Sequence, residues 1–346
     1  MTCPTGVDLK VGVKKGATWG TAVECGAGDG VQILDDTVVK DQERLMDDSR
    51  GEWAPTDSDP GEVVAGGDLP MYLRYDGIIN LLLGLACGQT GGAPSIINDG
   101  PGYSQTFTPV ADTAGLFATL AKLIGSYVKE NPSVKFNGLQ ISGETGQPMT
   151  ITFPLIADNE VNDSTVNTTI TMANVTTTQE KLRVLFSQSV VRINDQSDGA
   201  LDSGDVIAPV SIELIWNANK EGVYDRTDDK NLKSEPCNNG KPEFILNMRL
   251  AKNASNTNLV DLKNDTPKKI DITFTGPEIE SGVDYTFVIS IPYAKFSDIK
   301  TPTAEGIIGE ELSFVLHEAS AAPTGMSSTE PFYIDVQNTQ STDVLA

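Results

Sequence analysis

The sequence has one histidine, few aromatic residues, about half as many basic as acidic side chains, and no long apolar run. Each shortage removes a class of function. A single histidine, His317, excludes the usual two- and three-histidine metal sites. A serine triad would need it beside a nucleophile, and no G-x-S-x-G elbow is present. The four cysteines (Cys3, Cys25, Cys87, Cys237) lack CxxC or CxxH spacing, which argues against a zinc site or a disulfide framework. Reduced thiols are the default, although Cys3 and Cys25 lie in one region and could pair. With 6% aromatic residues there is little to line the cleft that a carboxylate hydrolase would need. Lys and Arg number 25 against 48 Asp and Glu, a net charge of −23. Such a chain should repel DNA, because phosphate binding draws its affinity from Lys and Arg displacing counterions.

The longest apolar stretch, Ile78 to Cys87, is half the roughly 20 residues that a membrane helix requires, so no membrane insertion is expected. The opening MTCPTGVDLK lacks the basic and apolar regions of a signal peptide, which predicts synthesis and retention in a cytoplasm. No P-loop occurs, and Gly26 to Gly30 reads as a turn because a strand follows it where a phosphate loop needs a helix. Asn194 to Asp205 has loose calcium-loop spacing, but its flanks read as strands, so an acidic turn is the expectation. The acidic pairs Asp47-Asp48, Asp57/Asp59 and Glu310-Glu311 sit where solvated charge is usual. The expectation is therefore no enzyme, no metal and no cofactor.

What is present is alternation. Met149, Ile151, Phe153 and Leu155 form one period-two apolar face, as do Val210, Ile212, Leu214 and Trp216. Phe244 to Leu250, Ile270 to Phe274, Tyr285 to Tyr293 and Leu312 to Leu316 repeat the pattern. These read as half-buried antiparallel strands. Gly143 to Gly146 closes a hairpin between 134–142 and 149–157, and Gly276 to Gly282 closes another between 270–275 and 284–293. A phase slip at Asn137-Gly138 marks a bulge. Ile78 to Cys87 reads as a buried helix with Asp76 as N-cap and Gly88 at its C-terminal end, and Thr113 to Tyr127 as a weaker helix. Two excursions leave the sheet: the acidic 37–70, with exposed-looking Leu45, Met46 and Trp53, and the polar 159–178. Residues 319–346 read as a tail with one strand, Phe332 to Val336. The two hairpins share their length and a proline near the end of the second strand, consistent either with a duplicated module (halves 1–158 and 179–318) or with two ordinary hairpins.

An ordered series of motifs resembles the phage tail tube proteins. It begins with Lys14-Lys15-Gly16-Ala17-Thr18-Trp19-Gly20-Thr21-Ala22, similar to the family's K-K-E-x-x-W-G-T-A opening but with Gly16 at the usual acidic position. Tyr72 to Gly77 leading into Ile78–Gly88, Tyr103 to Phe107, Val134 to Ile156, Leu185 to Asn194 and Asp284 to Ala294 continue it, so the likeness runs to about residue 318.

The resemblance implies a mainly β fold, an antiparallel β-sandwich or half-barrel with a short flanking α-helix. Six copies would close a ring whose inner wall is a continuous β-barrel. Rings would stack along a tape measure protein, with terminator and tip or baseplate proteins at the ends, and genome DNA would pass through without specific binding. The place of action would be the virion tail, assembled in the bacterial cytoplasm. Within that frame 37–70 is an arm, with Leu45, Met46, Trp53, Val63 and Val64 as candidate inter-ring contacts. Glu144, Thr150, Thr152, Asp271 and Thr273 are candidates for the channel wall. The rival is another β-sandwich of a virion surface, a decoration or adhesin module.

Overall fold

The computed structural model describes residues 9–48, 53–54, 57–177, 182–224, 231–253, 255–304 and 307–346. Cys3 and the middle of the arm, except 53–54, lie outside them.

The chain is mainly β, as its alternation requires. In the first half, β1 (Lys10–Lys15) pairs with β2 (Gly30–Val31). A long hairpin follows, β3 (Val39–Met46) and β4 (Ser58–Tyr72). Then come helix α1 (Ile79–Cys87), β5 (Tyr103–Pro109), β6 (Ala118–Ile124) and β7 (Tyr127–Phe136). β8 (Gly138–Glu144) and β9 (Thr150–Ala157) form the next hairpin. β6 pairs with β1 and β7, while β9 pairs with β4 on one side and with β8 and β7 on the other.

A short helix, α2 (Thr169–Ala173), caps the 159–178 insert and packs Met172 beside Cys25, Ala121 and Val128.

The second half starts with β10 (Ser189–Asp195) and β11 (Val206–Ile207), which pair. β12 (Pro209–Asn217) and β13 (Glu243–Leu250) follow, then α3 (Thr257–Asn264). β14 (Lys268–Glu280) and β15 (Val283–Lys300) make the longest hairpin, and β16 (Glu310–Leu316) and β17 (Tyr333–Asn338) end the fold. β14 pairs with β10, β15 with both β16 and β17, β16 with β13, and β13 with β12. Two ladders join the halves: β8 with β12, and β17 with β5.

One apolar cluster lies between the two layers that result. Leu69, Ile151, Ile141, Leu214, Leu246 and Phe314 enter it from one layer, and Ile272, Phe287, Val336 and Phe107 from the other. α1 is fully inside the same cluster, which is why its sequence is apolar all round.

Three local expectations meet a different outcome. Thr113 to Tyr127 is not a helix: β6 is buried on both faces, Ala118 and Leu120 in the main core and Ala121 against the α2 cluster. Two-sided burial removes the period-two signal and leaves leucines at spacings that imitate a helix. Asp76 does not cap α1, whose N-cap is Ile78 without a side-chain bond. The buried Asp76 carboxylate instead accepts from the adjacent Gly77 N–H at 2.7 Å and from the Thr339 hydroxyl, a tertiary partner that outcompetes the cap. The turn between β14 and β15 is tighter than 276–282, because the ladder runs on through bulges to Glu280 and Val283.

At Asn137-Gly138 the expected irregularity is the corner at which β7 hands over to β8 on the edge of β9. Gly138 has φ +117°, and a Cβ there would stand 2.0 Å from the Trp216 carbonyl oxygen on β12. Gly146, in the β8–β9 turn, has φ +84° and open space around it. Both positions suit glycine, but only Gly138 is also closed by a neighbouring strand. Gly138→Ala should therefore lose clearly more stability than Gly146→Ala, by roughly 1–3 kcal/mol more; equal denaturation midpoints would contradict this reading of the corner.

Asp158, at the end of β9, accepts from the Ser133 N–H at 3.0 Å. Burial, outweighing this bond, pushes its carboxyl from 3.8 up to about 6. The folded state then holds a proton that the unfolded state has released, so this group subtracts stability as pH rises from about 4 to about 6. Asp158→Asn should flatten that part of the stability–pH curve and raise stability at pH 7 by up to about 3 kcal/mol. Thermal melts across pH 4 to 7 provide the measurement.

Candidate assembly surface

In the layer β3-β4-β9-β8-β12-β13-β16-β15 every strand after β3 presents its apolar alternates to the core, so its polar alternates must face away from it. Ladder partners place one residue from each of seven strands in a single row: Tyr72, Thr150, Ser142, Glu213, Asn247, Ser313 and Asp298. The side chains bond along this row. Ser142 and Thr150 hydroxyls lie 3.0 Å apart. Glu213 accepts from Gln140 at 2.7 Å and from Asn247 at 3.0 Å, and the Ser313 hydroxyl donates to Asn247 Oδ1 at 2.9 Å. The result is an open groove of about 800 Å³ whose charged lining is Glu144, Glu213, Glu311 and Arg249, three carboxylates to one guanidinium.

Glu144, Thr150 and Thr152 all belong to this face. Asp271 and Thr273 do not. They fall on rows that cross β10, β14, β15, β17 and β5, running Val190, Thr273, Val288, Asp335, Thr106. That is the polar face of the other layer, on the opposite side of the shared core. There Asp271 pairs with Arg192 at 3.5 Å and accepts from the Thr273 hydroxyl at 2.8 Å, while burial, the larger influence, raises its carboxyl pKa. Even alternation identified both polar faces in the sequence, but only the strand order tells them apart.

The eight-stranded layer ends in two open edges. Among the described residues no strand lies beyond β3, and none lies beside Lys295–Lys300 of β15 opposite β16, since the β14 ladder stops at Ala294. Strand edges left unpaired are assembly sites or aggregation hazards. A model of the phage tail tube protein family matches residues 6–316. The chain belongs to that family. It is a structural family of the virion tail, and no curated protein matches the chain in sequence.

In this tail tube protein the described flanks of the 37–70 excursion are the paired strands β3 and β4. Leu45, Met46 and Val64 are each more than half exposed, and Trp53 is 98% exposed. Val63 is the exception among the candidate contacts. It points to the other face of β4 from Val64 and is buried, with its carbonyl accepting from the Tyr224 hydroxyl at 2.8 Å. His317 stands exposed after β16, its ring edge-on to Tyr293 at 5.9 Å. Asp195 and Asp202, from the loop with calcium-like spacing, are engaged otherwise: Asp195 pairs with Lys268 at 2.5 Å and Asp202 accepts from the Gly204 N–H at 2.6 Å.

Sequence reasoning missed the arm formed by 218–242, which carries no exposed run of apolar residues. Its described residues lie on the first half of the chain through largely polar contacts, with Leu232 packed against the main core. Trp19 donates to the Lys233 carbonyl at 2.9 Å, Lys135 pairs with Glu235 at 2.5 Å, and the Val63 N–H donates to the Asn231 carbonyl at 3.0 Å.

Proposed function

We propose that this chain assembles with copies of itself into stacked rings that form the tail tube, with the polar face of the eight-stranded layer turned to the bore. The supporting observation is that this layer has a buried apolar face, a hydrogen-bonded polar face and two open edges. Copies added at those edges continue one sheet, and closing it into a barrel leaves no edge at all. The resemblance implies six copies around the ring, a tape measure protein inside during assembly, and terminator and tip proteins at the ends. A decoration or adhesin module would share the fold but would have no need of two open edges on one layer.

The arm serves contacts between copies. Leu45, Met46, Trp53 and Val64 present apolar surface that none of the described residues covers, and an aromatic anchor in a polar rim is a usual basis of stable contacts. Asp271 and Thr273 lie on the outward layer, so the bore proposal is confined to Glu144, Thr150, Thr152 and their row. Carboxylates there repel the phosphates that DNA presents about every 1.7 Å, so passage meets no adhesive wall.

The purified protein should form rings or tubes on concentration, visible by negative-stain microscopy. The double variant Leu45→Asp, Trp53→Ala should keep its circular dichroism but assemble at least tenfold less readily. A protein that stays monomeric at high concentration would overturn the proposal.

Charge reversal in the groove, Glu144→Lys with Glu311→Lys, should leave assembly intact and make tubes retain DNA at low salt. Release of that DNA should steepen with added salt. Tubes that bind no more DNA than the parent would remove these residues from the bore.

A further inference from the structure

The pairings of the two halves form the same list but for one ladder, β15 with β17, which has no counterpart in the first half. In the first, β1 pairs with β2 and β6, β6 with β7, β7 and β8 with β9, β9 with β4, and β4 with β3. In the second, β10 pairs with β11 and β14, β14 with β15, β15 with β16 and β17, β16 with β13, and β13 with β12. α1 falls between β4 and β6, and α3 between β13 and β14, the same place in the repeat. The continuous β15 corresponds to β7 and β8 together: Ala294 and Phe296 face β16 as Val134 and Phe136 face β9, and the register shift between Phe296 and Asp298 falls where the Asn137-Gly138 corner does. The eight-stranded layer is thus two four-stranded units, each with the order first, second, fourth, third: β3-β4-β9-β8, then β12-β13-β16-β15.

The junction between the units is visible within the chain. It is the antiparallel ladder from Gly138↔Asn217 to Glu144↔Ser211, which joins the last strand of unit one to the first strand of unit two. Unit two ends in β15 with the same kind of strand, open from Lys295 to Lys300. Unit one begins with the chain that leads into β3. Residues 31–38 already follow β4 there: the Leu34 N–H donates to the Pro70 carbonyl at 2.8 Å, and Asp68 N–H donates to the Thr37 hydroxyl at 2.8 Å. Those two edges lie at opposite ends of the layer and so need a second copy.

We infer that each chain is two fused tube units, and that β15 of one copy pairs antiparallel with the 31–38 segment of the next, as β8 pairs with β12. The arms agree. The unit-two arm, 218–242, crosses onto unit one through Lys135–Glu235 and Trp19–Lys233. The root of the β3–β4 arm makes the equivalent crossing onto unit two of the neighbouring copy, which leaves the tip with Trp53 free to reach the adjacent ring. The inference rests on the ring reading above. A ring of six units then holds three chains, not six.

Cryo-electron microscopy of assembled tubes, with native mass spectrometry of released rings, counts the chains directly. Hydrogen exchange compares tube with dilute single chains. The expected result is three chains per ring, with amides of 295–300 and 31–38 exchanging at least tenfold more slowly in the tube. Tubes with six chains per ring, or with unchanged exchange at both segments, overturn the fused-unit assembly while sparing the tube reading. A chain that never assembles overturns both.

Discussion

The constraint from which the rest follows is the backbone ladder between β8 and β12. Its seven facing pairs merge two four-stranded sheets into one layer. It can form only because Gly138 lets the chain turn from β7 into β8 with the Trp216 carbonyl close by. Once the layer exists, its strands from β4 to β15 must place apolar alternates on one side, since the second layer supplies a core on that side only, while β3 runs out beyond that core. The polar alternates are then left together on the far side, and their hydroxyls, amides and carboxylates satisfy one another along the rows. The groove is in this sense a by-product of continuity: break the β8–β12 ladder and Glu213 no longer lies opposite Ser142 or within reach of Gln140.

Much of this architecture was legible in the sequence because period-two alternation survives wherever a strand has one wet face. β9, β12, β13, β14 and β16 all show it, and all fall where expected. The same rule explains the failures. β6 is dry on both sides, so Ala118 to Lys122 carried no alternation to read. Asp76 carried the chemistry of a helix cap, but Thr339, far away in sequence, claimed its carboxylate. Long-range partners of this kind leave no local signature.

The channel candidates show a further limit. Glu144 and Thr150 share with Asp271 and Thr273 the same local pattern, a polar residue between buried apolar ones. Nothing in a single strand tells which of two layers it will join. That information resides in pairing order: β9 and β8 lie next to β12, whereas β14 lies next to β10 and beside the half of β15 that meets β17. The 218–242 arm was invisible for a related reason. Among the described residues its hold on the first half includes backbone carbonyls bonded by an indole N–H, the Tyr224 hydroxyl and the Lys220 ammonium, and the Lys135–Glu235 ion pair, groups that read as ordinary loop chemistry until their partners are seen.

The inferred fusion of two units has a physical consequence for assembly. When separate units meet, each new ladder must offset the translational and rotational entropy lost on association, several kcal/mol or more. Joining units one and two in a single chain turns half of the ladders in a ring into intramolecular ones, formed during folding. The remaining ladders, at β15, have to be reversible enough for rings to correct errors, and their edge strand carries Lys295, Asp298 and Lys300. Charged edge residues disfavour indiscriminate pairing between strands while permitting a specific partner. The β8 strand of the internal ladder, by contrast, has a charge only at its last residue, Glu144, in keeping with a junction that never has to wait in solvent for its neighbour.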